Sequence, residues 1–310
     1  MGRIVFRDLH GLVLLDKPLG LSSNQALQAV RRLFRAAKGG HTGALDPLAT
    51  GLLPLCFGEA TKLAGHLLGS RKAYAATCQL GVTTTTGDRE GELVTRRTVP
   101  ALDAARIEAA LAPLRGRIRQ VPPAYSAIKQ GGEPLYLKAR RGEAVEVPAR
   151  EVEIHRLELT GRAGDELQLE VECGSGTYIR SLAVDLGEAL GCGAHLVSLR
   201  RLWVEPFRDP VLVTLAQVEA AAAEGDEALL ALMRPVAEGL AHLPAVHLDP
   251  AQSQAVAQGR RVAVESAQAP VGSCAVFAAD GALLALGERD AQGQLRVVRG
   301  FNLPPPDQAP

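Results

Sequence analysis

The chain has 310 residues, of which 47% are hydrophobic, 22% charged and 4% aromatic; such a composition excludes a largely disordered, collagenous or coiled-coil protein and allows one large domain or two ordinary ones. No apolar run approaches the roughly 18 residues that span a bilayer, and the first residues hold no signal-peptide core. The formal net charge is zero, but residues 1–214 carry 28 basic and 23 acidic side chains, whereas residues 215–310 carry 6 and 11 and no lysine. Two windows hold the positive excess, 1–72 with 10 basic and 4 acidic residues and 113–141 with 7 and 1. Regional charge, not the total, sets the field that a polyanion meets.

In chain order, Gly11–Asp16 reads as a buried strand that ends in the turn Lys17–Gly20. Ser22 and Gln25 form a capping-box pattern before a helix with Leu27, Val30, Leu33 and Phe34 on one face and Arg31, Arg32, Arg35 and Lys38 in its C-terminal half. Gly39–Gly51, dense in Gly, Thr and Pro, is predicted as loop, Leu52–Phe57 as strand and Glu59–Leu68 as helix. Tyr74–Leu80 alternates with period 2 and reads as a strand, and Thr83–Gly91 as turn. Asp103–Leu114 reads as a helix with Ile107, Leu111 and Leu114 inward. Residues 121–150 lack a core pattern and are basic, the mark of a protruding functional insert. Val152–Leu159 and Leu167–Cys173 form a predicted hairpin around Gly164-Asp165; a helix with Ile179, Leu182, Ala183, Leu186 and Leu190 follows, then a strand at Leu196–Val204. Thr214 and Gln217 open another capped helix, and residues 220–241 are rich in Ala and Glu. From Leu243 the pattern changes to short strands with a hairpin turn at Asp280-Gly281 and a helix capped by Asp249, which predicts a small β-barrel-like domain.

Five cysteines at wide spacings, without CxxC, predict neither a disulfide framework nor structural zinc and fit a reduced, cytoplasmic compartment. The seven histidines include no HxH, HxxxH or HExxH, so a catalytic metal has no support.

Four segments could carry chemistry. In Gly40–Gly51 (GHTGALDPLATG), Pro47 biases Asp46 to an extended backbone, and a carboxylate fixed there can be nucleophile, base, metal ligand or cap; His41 stands five residues earlier. In Cys173–Arg180, glycines precede a helix whose first turn holds Tyr178 and Arg180; Arg180 lies just off the apolar stripe and reads as exposed or as the partner of a carboxylate. Tyr74 opens a strand, as half-buried filler or as a stacking platform. In Pro122–Arg141, Lys129, Lys138, Arg140 and Arg141 interleave with Tyr125 and Tyr136, a mixture suited to RNA backbone and bases.

Five segments in order, Gly11–Ser23 (GLVLLDKPLGLSS), Gly40–Lys62 (GHTGALDPLATGLLPLCFGEATK), Lys72–Gly91 (KAYAATCQLGVTTTTGDREG), Pro122–Arg140 (PPAYSAIKQGGEPLYLKAR) and Gly176–Arg201 (GTYIRSLAVDLGEALGCGAHLVSLRR), resemble the TruB family of bacterial tRNA pseudouridine-55 synthases. The resemblance implies an α+β pseudouridine synthase fold, a mixed, largely antiparallel sheet flanked by helices and loops. It divides the chain into a catalytic domain at 1–240, with 122–150 as a thumb-like insert gripping RNA, and a PUA-type RNA-binding domain at 241–310 with a disordered tail from about 304. It implies isomerisation of the T-loop uridine at tRNA position 55 by base flipping, with no cofactor and no metal. Asp46 matches the essential carboxylate and Arg180 its cationic partner. Tyr74 would stack on the uracil, His41 would fill the space of the flipped base, and Tyr178 and Leu199 would line the uridine pocket. Lys129, Lys138, Arg140 and Arg141 would contact the T-stem loop of tRNA. A monomeric cytoplasmic enzyme with no membrane association and no obligatory protein partner is expected; a non-catalytic tRNA-binding or tRNA-folding protein is the alternative. Ser175 stands where many relatives have a lysine, and 215–241 matches no functional motif.

Overall fold

Strand β1 (Gly11–Lys17) is buried along nearly its whole length, as its unbroken apolar run requires. The computed structural model describes residues 5–69, 71–126, 128–141, 143, 147–265 and 269–304, with the backbone alone for Lys129, Pro134, Tyr136, Ala139 and Arg140. The tail at 305–310, where disorder is expected, lies outside the described residues. After β1 come α1 (Ser23–Phe34), β2 (Gly39–His41) and β3 (Ala49–Phe57), then a 3₁₀ turn and α2 (Ala64–Leu68). Next are β4 (Lys72–Leu80), β5 (Val82–Thr84), β6 (Leu93–Arg96), α3 (Ala104–Leu111) and β7 (Gly116–Gln120). The 122–150 segment holds β8 (Lys129–Gln130), β9 (Glu133–Pro134) and α4 (Leu135–Arg140). Then follow β10 (Arg150–Ala163), β11 (Glu166–Cys173), α5 (Ile179–Ala189), β12 (Ala194–Val204), β13 (Val213–Thr214), α6 (Leu215–Glu224) and α7 (Asp226–Leu230). The last elements are β14 (Ala245–His247), α8 (Pro250–Ala257), β15 (Val262–Ala263), β16 (Gly272–Phe277), β17 (Leu283–Arg289) and β18 (Gln294–Gly300).

The predicted caps are all made. Ser22, Thr214 and Asp249 each accept the N–H of the residue three positions on, and Gln25, Gln217 and Gln252 reach back to close the box. Such a cap stabilises a helix by about 1 kcal/mol. Three expectations change. The 83–91 turn begins later, because Val82–Thr84 pairs antiparallel with Leu93–Arg96. The 39–51 loop is shorter, because Gly39–His41 pairs antiparallel with Leu55–Phe57 and β3 already begins at Ala49. The Glu59–Leu68 helix starts as a 3₁₀ turn over Gly58–Leu63, where Thr61 Oγ donates to the Gly58 carbonyl.

The chain divides into two units. One comprises Leu48–Gly51 and Gly69–Val204. Its sheet runs β3, β12, β4, β11, β10, β7, where β3 contributes Ala49–Gly51 parallel to β12 and the other pairs are antiparallel. Helix α5 packs on β12, and its Leu182, Ala183 and Leu186 are within 1% of full burial; each leucine contributes roughly 1.5–3 kcal/mol. Gly51 has φ +95°, and a Cβ there would stand 2.2 Å from the Arg201 carbonyl oxygen, so only glycine lets β3 lie against β12 at this point.

The other unit comprises Met1–Pro47, Leu52–Leu68 and Glu205–Pro310. In it β1 lies parallel to β13, with Leu15 opposite Val213, and neighbours the remainder of β3. A second, five-stranded sheet has the order β14, β16, β17, β18, β15, with β14 parallel to β16 and the other pairs antiparallel. Its separate core includes Val246, Leu248, Cys274, Val276 and Leu295. Lys62 Nζ donates to the Gly300 carbonyl at 2.9 Å, and Glu59 accepts from Asn302 N–H at 2.6 Å, tying this sheet to the segment after β3.

His66 of α2 stacks on His242 with ring centroids 5.1 Å apart and Nε2 atoms 3.1 Å apart. Desolvation lowers the pKa of both, and His66 lowers that of His242 further. Unfolded histidines titrate near ~6.5, above these folded values, so the unfolded chain binds more protons as the pH falls. The stability held above ~6.5 is therefore lost as the pH drops through that value toward the folded pKa values. Thermal unfolding of wild type is expected to lose more on acidification than that of His66→Gln, which cannot bring two imidazolium charges together; equal pH slopes would remove the pair from this role.

All five cysteines are free and buried. Burial pushes Cys56 and Cys78 up to about 12 and Cys173 to about 11, so these thiols are inert at neutral pH. Among the described residues no helix is long and apolar enough to cross a membrane, and no three His, Cys, Asp or Glu side chains gather to hold a metal ion.

Candidate active site

Asp46 sits half-buried in the turn between β2 and β3, followed by Pro47, which holds it out of the helical region. Its neighbour in sequence, Leu45, is 6% exposed. His41 ends β2 opposite Leu55 and is also half-buried. Thr42 N–H donates to the Pro54 carbonyl at 3.1 Å, closing the turn. Asp46 and His41 belong to one unit, and Tyr74, Tyr178, Arg180, Leu199 and the cations of the 122–150 segment to the other.

In that unit the strand register decides which side chains meet. Tyr74 of β4 stands opposite Arg201 of β12 and Val171 of β11, and Ala76 stands opposite Leu199. Directly opposed residues share a face, and so do residues two apart on one strand, so Tyr74, Ala76, Leu199 and Arg201 line one side of the sheet. Tyr74 and Leu199 are buried in the free protein, at 7% and 8% exposure. Lys72 shares this face; burial lowers its pKa first, and the nearby Arg201 charge lowers it further.

Tyr178 is the N-cap residue of α5 and is half-buried. The buried Gln120 amide grips its backbone like a ladder partner. Gln120 Oε1 accepts from Tyr178 N–H at 2.7 Å, and Nε2 donates to its carbonyl at 3.0 Å. The Arg150 guanidinium lies 5.8 Å from the Tyr178 ring centroid, within cation–π reach.

Arg180, read from sequence as exposed or partnered, is buried. Its Nη1 donates to the Thr86 carbonyl at 3.1 Å and Nη2 to the Tyr125 carbonyl at 2.9 Å. Nη1 also stands 3.6 Å from Asp88 Oδ2, with both side chains about 5–6% exposed. Asp88 accepts further bonds from Thr86 Oγ at 2.5 Å and Glu90 N–H at 3.0 Å. One guanidinium thus joins the start of α5, the turn after β5 and the beginning of the 122–150 segment.

Within that segment, Lys138 is half-buried on α4. Exposed Arg141 donates from Nη1 to Glu133 and from Nε to Glu143, both at 2.6 Å, and these hydrogen bonds raise its pKa and lower that of Glu133. Its charge is therefore already balanced locally in the free protein. The side chains of Lys129 and Arg140 lie outside the described residues.

Asp88, Gln120 and Arg150 escaped the sequence reading. Asp88 lies in a polar turn that looks solvated, and its partner is distant in the chain. Gln120 and Arg150 end one strand and begin another, next to a segment without periodicity.

Three family models match: TruB family pseudouridylate synthase (N terminal domain) over residues 31–179, tRNA pseudouridylate synthase B C-terminal domain over 180–241, and pseudouridine synthase II TruB, C-terminal, over 244–301. The chain is 59% identical to tRNA pseudouridine synthase B of Xanthomonas campestris pv. campestris (strain 8004), covering 97% of this chain and 96% of that protein. It is 57% identical to the protein of the same name from Xylella fastidiosa (strain Temecula1 / ATCC 700964), over 98% and 99% of the two chains. Among solved structures, the fold matches a chain of a Cbf5-Nop10-Gar1 complex with TM-score 0.73 and 24% identity, covering 98% of this chain and 88% of that one. A chain of an H/ACA RNP bound to a substrate RNA containing 2'-deoxyuridine matches with TM-score 0.73 and 23% identity, covering 96% and 86%. Near-complete coverage at such identity leaves one assignment, and the chain belongs to the TruB family of pseudouridine synthases.

Proposed function

We propose that this pseudouridine synthase isomerises the T-loop uridine at position 55 of tRNA, using Asp46 as the reacting carboxylate. The observation that carries the substrate is the end-to-end identity with proteins named tRNA pseudouridine synthase B. In the reaction the N1–C1′ bond of uridine breaks, the uracil turns, and a C5–C1′ bond forms while the C5 proton leaves and N1 takes up a proton. Atoms and electrons balance without a redox partner. Asp46 either attacks the nucleotide or removes a sugar proton, and each role requires the ionised carboxylate.

The uridine must leave its stack to react, at a cost of a few kcal/mol that base contacts offset. Tyr74 is the proposed stacking surface; Leu199 on the same sheet face and Tyr178 at the start of α5 line the uridine pocket. Arg180 supplies the cationic side chain, and His41 fills the place that the flipped base vacates. Lys129, Lys138, Arg140 and Arg141 of the thumb-like insert hold the T-stem loop. For Arg141 this means exchanging the carboxylates of Glu133 and Glu143 for phosphate. The five-stranded sheet after residue 244 is read as a PUA-type RNA-binding domain. The enzyme is read as a cytoplasmic monomer that needs no protein partner.

Position-resolved carbodiimide mapping of an unmodified tRNA transcript tests the reading. The expected product is one pseudouridine, at position 55, without change of mass. Modification confined to another position, tight binding without modification, or release of free uracil would each overturn it.

A further inference from the structure

Two adjacent serines open α1, and their hydroxyls do different work. Ser22 caps the helix through Gln25. Ser23 is 4% exposed and turns its hydroxyl away from the helix onto the backbone of Leu45, 22 residues along the chain. Ser23 Oγ accepts from Leu45 N–H at 2.7 Å and donates to the Leu45 carbonyl at 3.1 Å. One hydroxyl thus satisfies both polar groups of a buried residue, where an unmade hydrogen bond is costly. On the other side of Asp46, the Pro47 carbonyl accepts from Gly20 N–H at 2.8 Å. Gly20 has φ +86°, a conformation that suits glycine. Its turn is braced by Lys17, fully buried, whose Nζ donates to the Pro18 carbonyl at 2.8 Å and the Leu21 carbonyl at 2.5 Å.

The residues immediately before and after Asp46 are therefore both pinned to the β1–turn–α1 segment, one by Ser23 at the start of α1 and the other by Gly20 in the turn that Lys17 braces. With its neighbours fixed, the Asp46 carboxylate keeps little freedom beyond rotation of its own side chain. We propose that Ser23 is a positioning residue that sets the attack geometry of Asp46. The proposal rests on the reading of Asp46 as the reacting carboxylate. Ser23 acts through the backbone of Leu45, so its contribution belongs to turnover rather than to the grip on RNA.

The test compares Ser23→Ala, Ser23→Thr, Ser22→Ala and Asp46→Asn on an unmodified tRNA transcript, each below its unfolding temperature. A misplacement of about 1 Å at a reacting group costs on the order of 100-fold, so Ser23→Ala is expected to lower the single-turnover rate by about 10–100-fold. Its KM and Kd for tRNA should stay within about twofold, the pattern of an interaction that matters only in the transition state. Ser22→Ala, which loses a helix cap, should lower thermal stability and leave the rate unchanged. Ser23→Thr keeps the hydroxyl and should keep most of the rate. The proposal falls if Ser23→Ala turns over at the wild-type rate, if its loss is no greater than that of Ser22→Ala, or if Ser23→Thr loses as much as Ser23→Ala. If Asp46→Asn retains turnover, the reading of Asp46 falls first. If Asp46→Asn is inactive and Ser23→Ala is not impaired, the role of Ser23 alone is wrong.

Discussion

Asp46→Asn is expected to lower pseudouridine formation at least about a thousandfold, the scale of losing a group that performs covalent or proton-transfer chemistry. The amide matches the carboxylate in size, so the turn between β2 and β3 has no steric reason to move. It cannot attack carbon or take a proton at neutral pH. Binding should behave differently. The RNA grip comes mainly from phosphate contacts spread over many cations, and one carboxylate fewer beside a polyanion cannot weaken it electrostatically. The Kd for tRNA, compared at one salt concentration, should stay within about twofold. The replaced C5 proton gives a direct readout, since tritium placed at C5 of uridine is released only when the new glycosidic bond is completed. Turnover within tenfold of wild type would remove Asp46 from the chemistry. A loss of binding equal to the loss of rate would make it a residue of the RNA surface instead.

What could be read from the sequence follows the range of the forces involved. Caps are local, so Ser22 with Gln25, Thr214 with Gln217 and Asp249 with Gln252 were visible as residue pairs, and the structure makes all three. Period-2 alternation at 152–173 marked the hairpin, because it faces the core on one side only. The Asp46 turn stood out through its glycines and Pro47, although only the family resemblance singled out the carboxylate. The sheet face that holds Tyr74 and Leu199 could not be read locally. It depends on the register of β4 against β12, set by packing of residues far apart in the chain. The segment 39–51 misled for a related reason. Glycine-rich sequence reads as loop, but the backbone of Leu55–Phe57 needs a ladder partner and takes Gly39–His41. Ser23 was equally silent, because it looks like a second cap residue until its bonds to Leu45 are seen.

Arg180 is far more buried than its local sequence suggests, and its replacement should give a large loss of stability. An arginine beside the apolar stripe of α5 looks free to reach water, but it is 5% exposed and faces an equally buried Asp88. Removing one member of such a pair leaves the other charge in a poorly hydrated site, at a cost of about 3–5 kcal/mol. Arg180→Leu fills similar volume but strands Asp88 and takes donors from the carbonyls of Thr86 and Tyr125. Asp88→Asn in the wild-type background should also destabilise, since it removes the carboxylate charge that faces Arg180 while its Oδ1 can still accept from Thr86 and Glu90. In the Arg180→Leu background the same Asp88→Asn change removes the stranded charge and should stabilise. A substitution that changes sign between two backgrounds reports direct coupling, expected at roughly 1–3 kcal/mol. Trp203, the single tryptophan of the chain, lies on β12 in the same unit and reports its denaturant unfolding by fluorescence. Additive effects of the two substitutions would show that Asp88 is not the partner that holds Arg180. Recovery of stability without recovery of pseudouridine formation in the double variant would separate the structural role of Arg180 from its proposed part in holding the uridine.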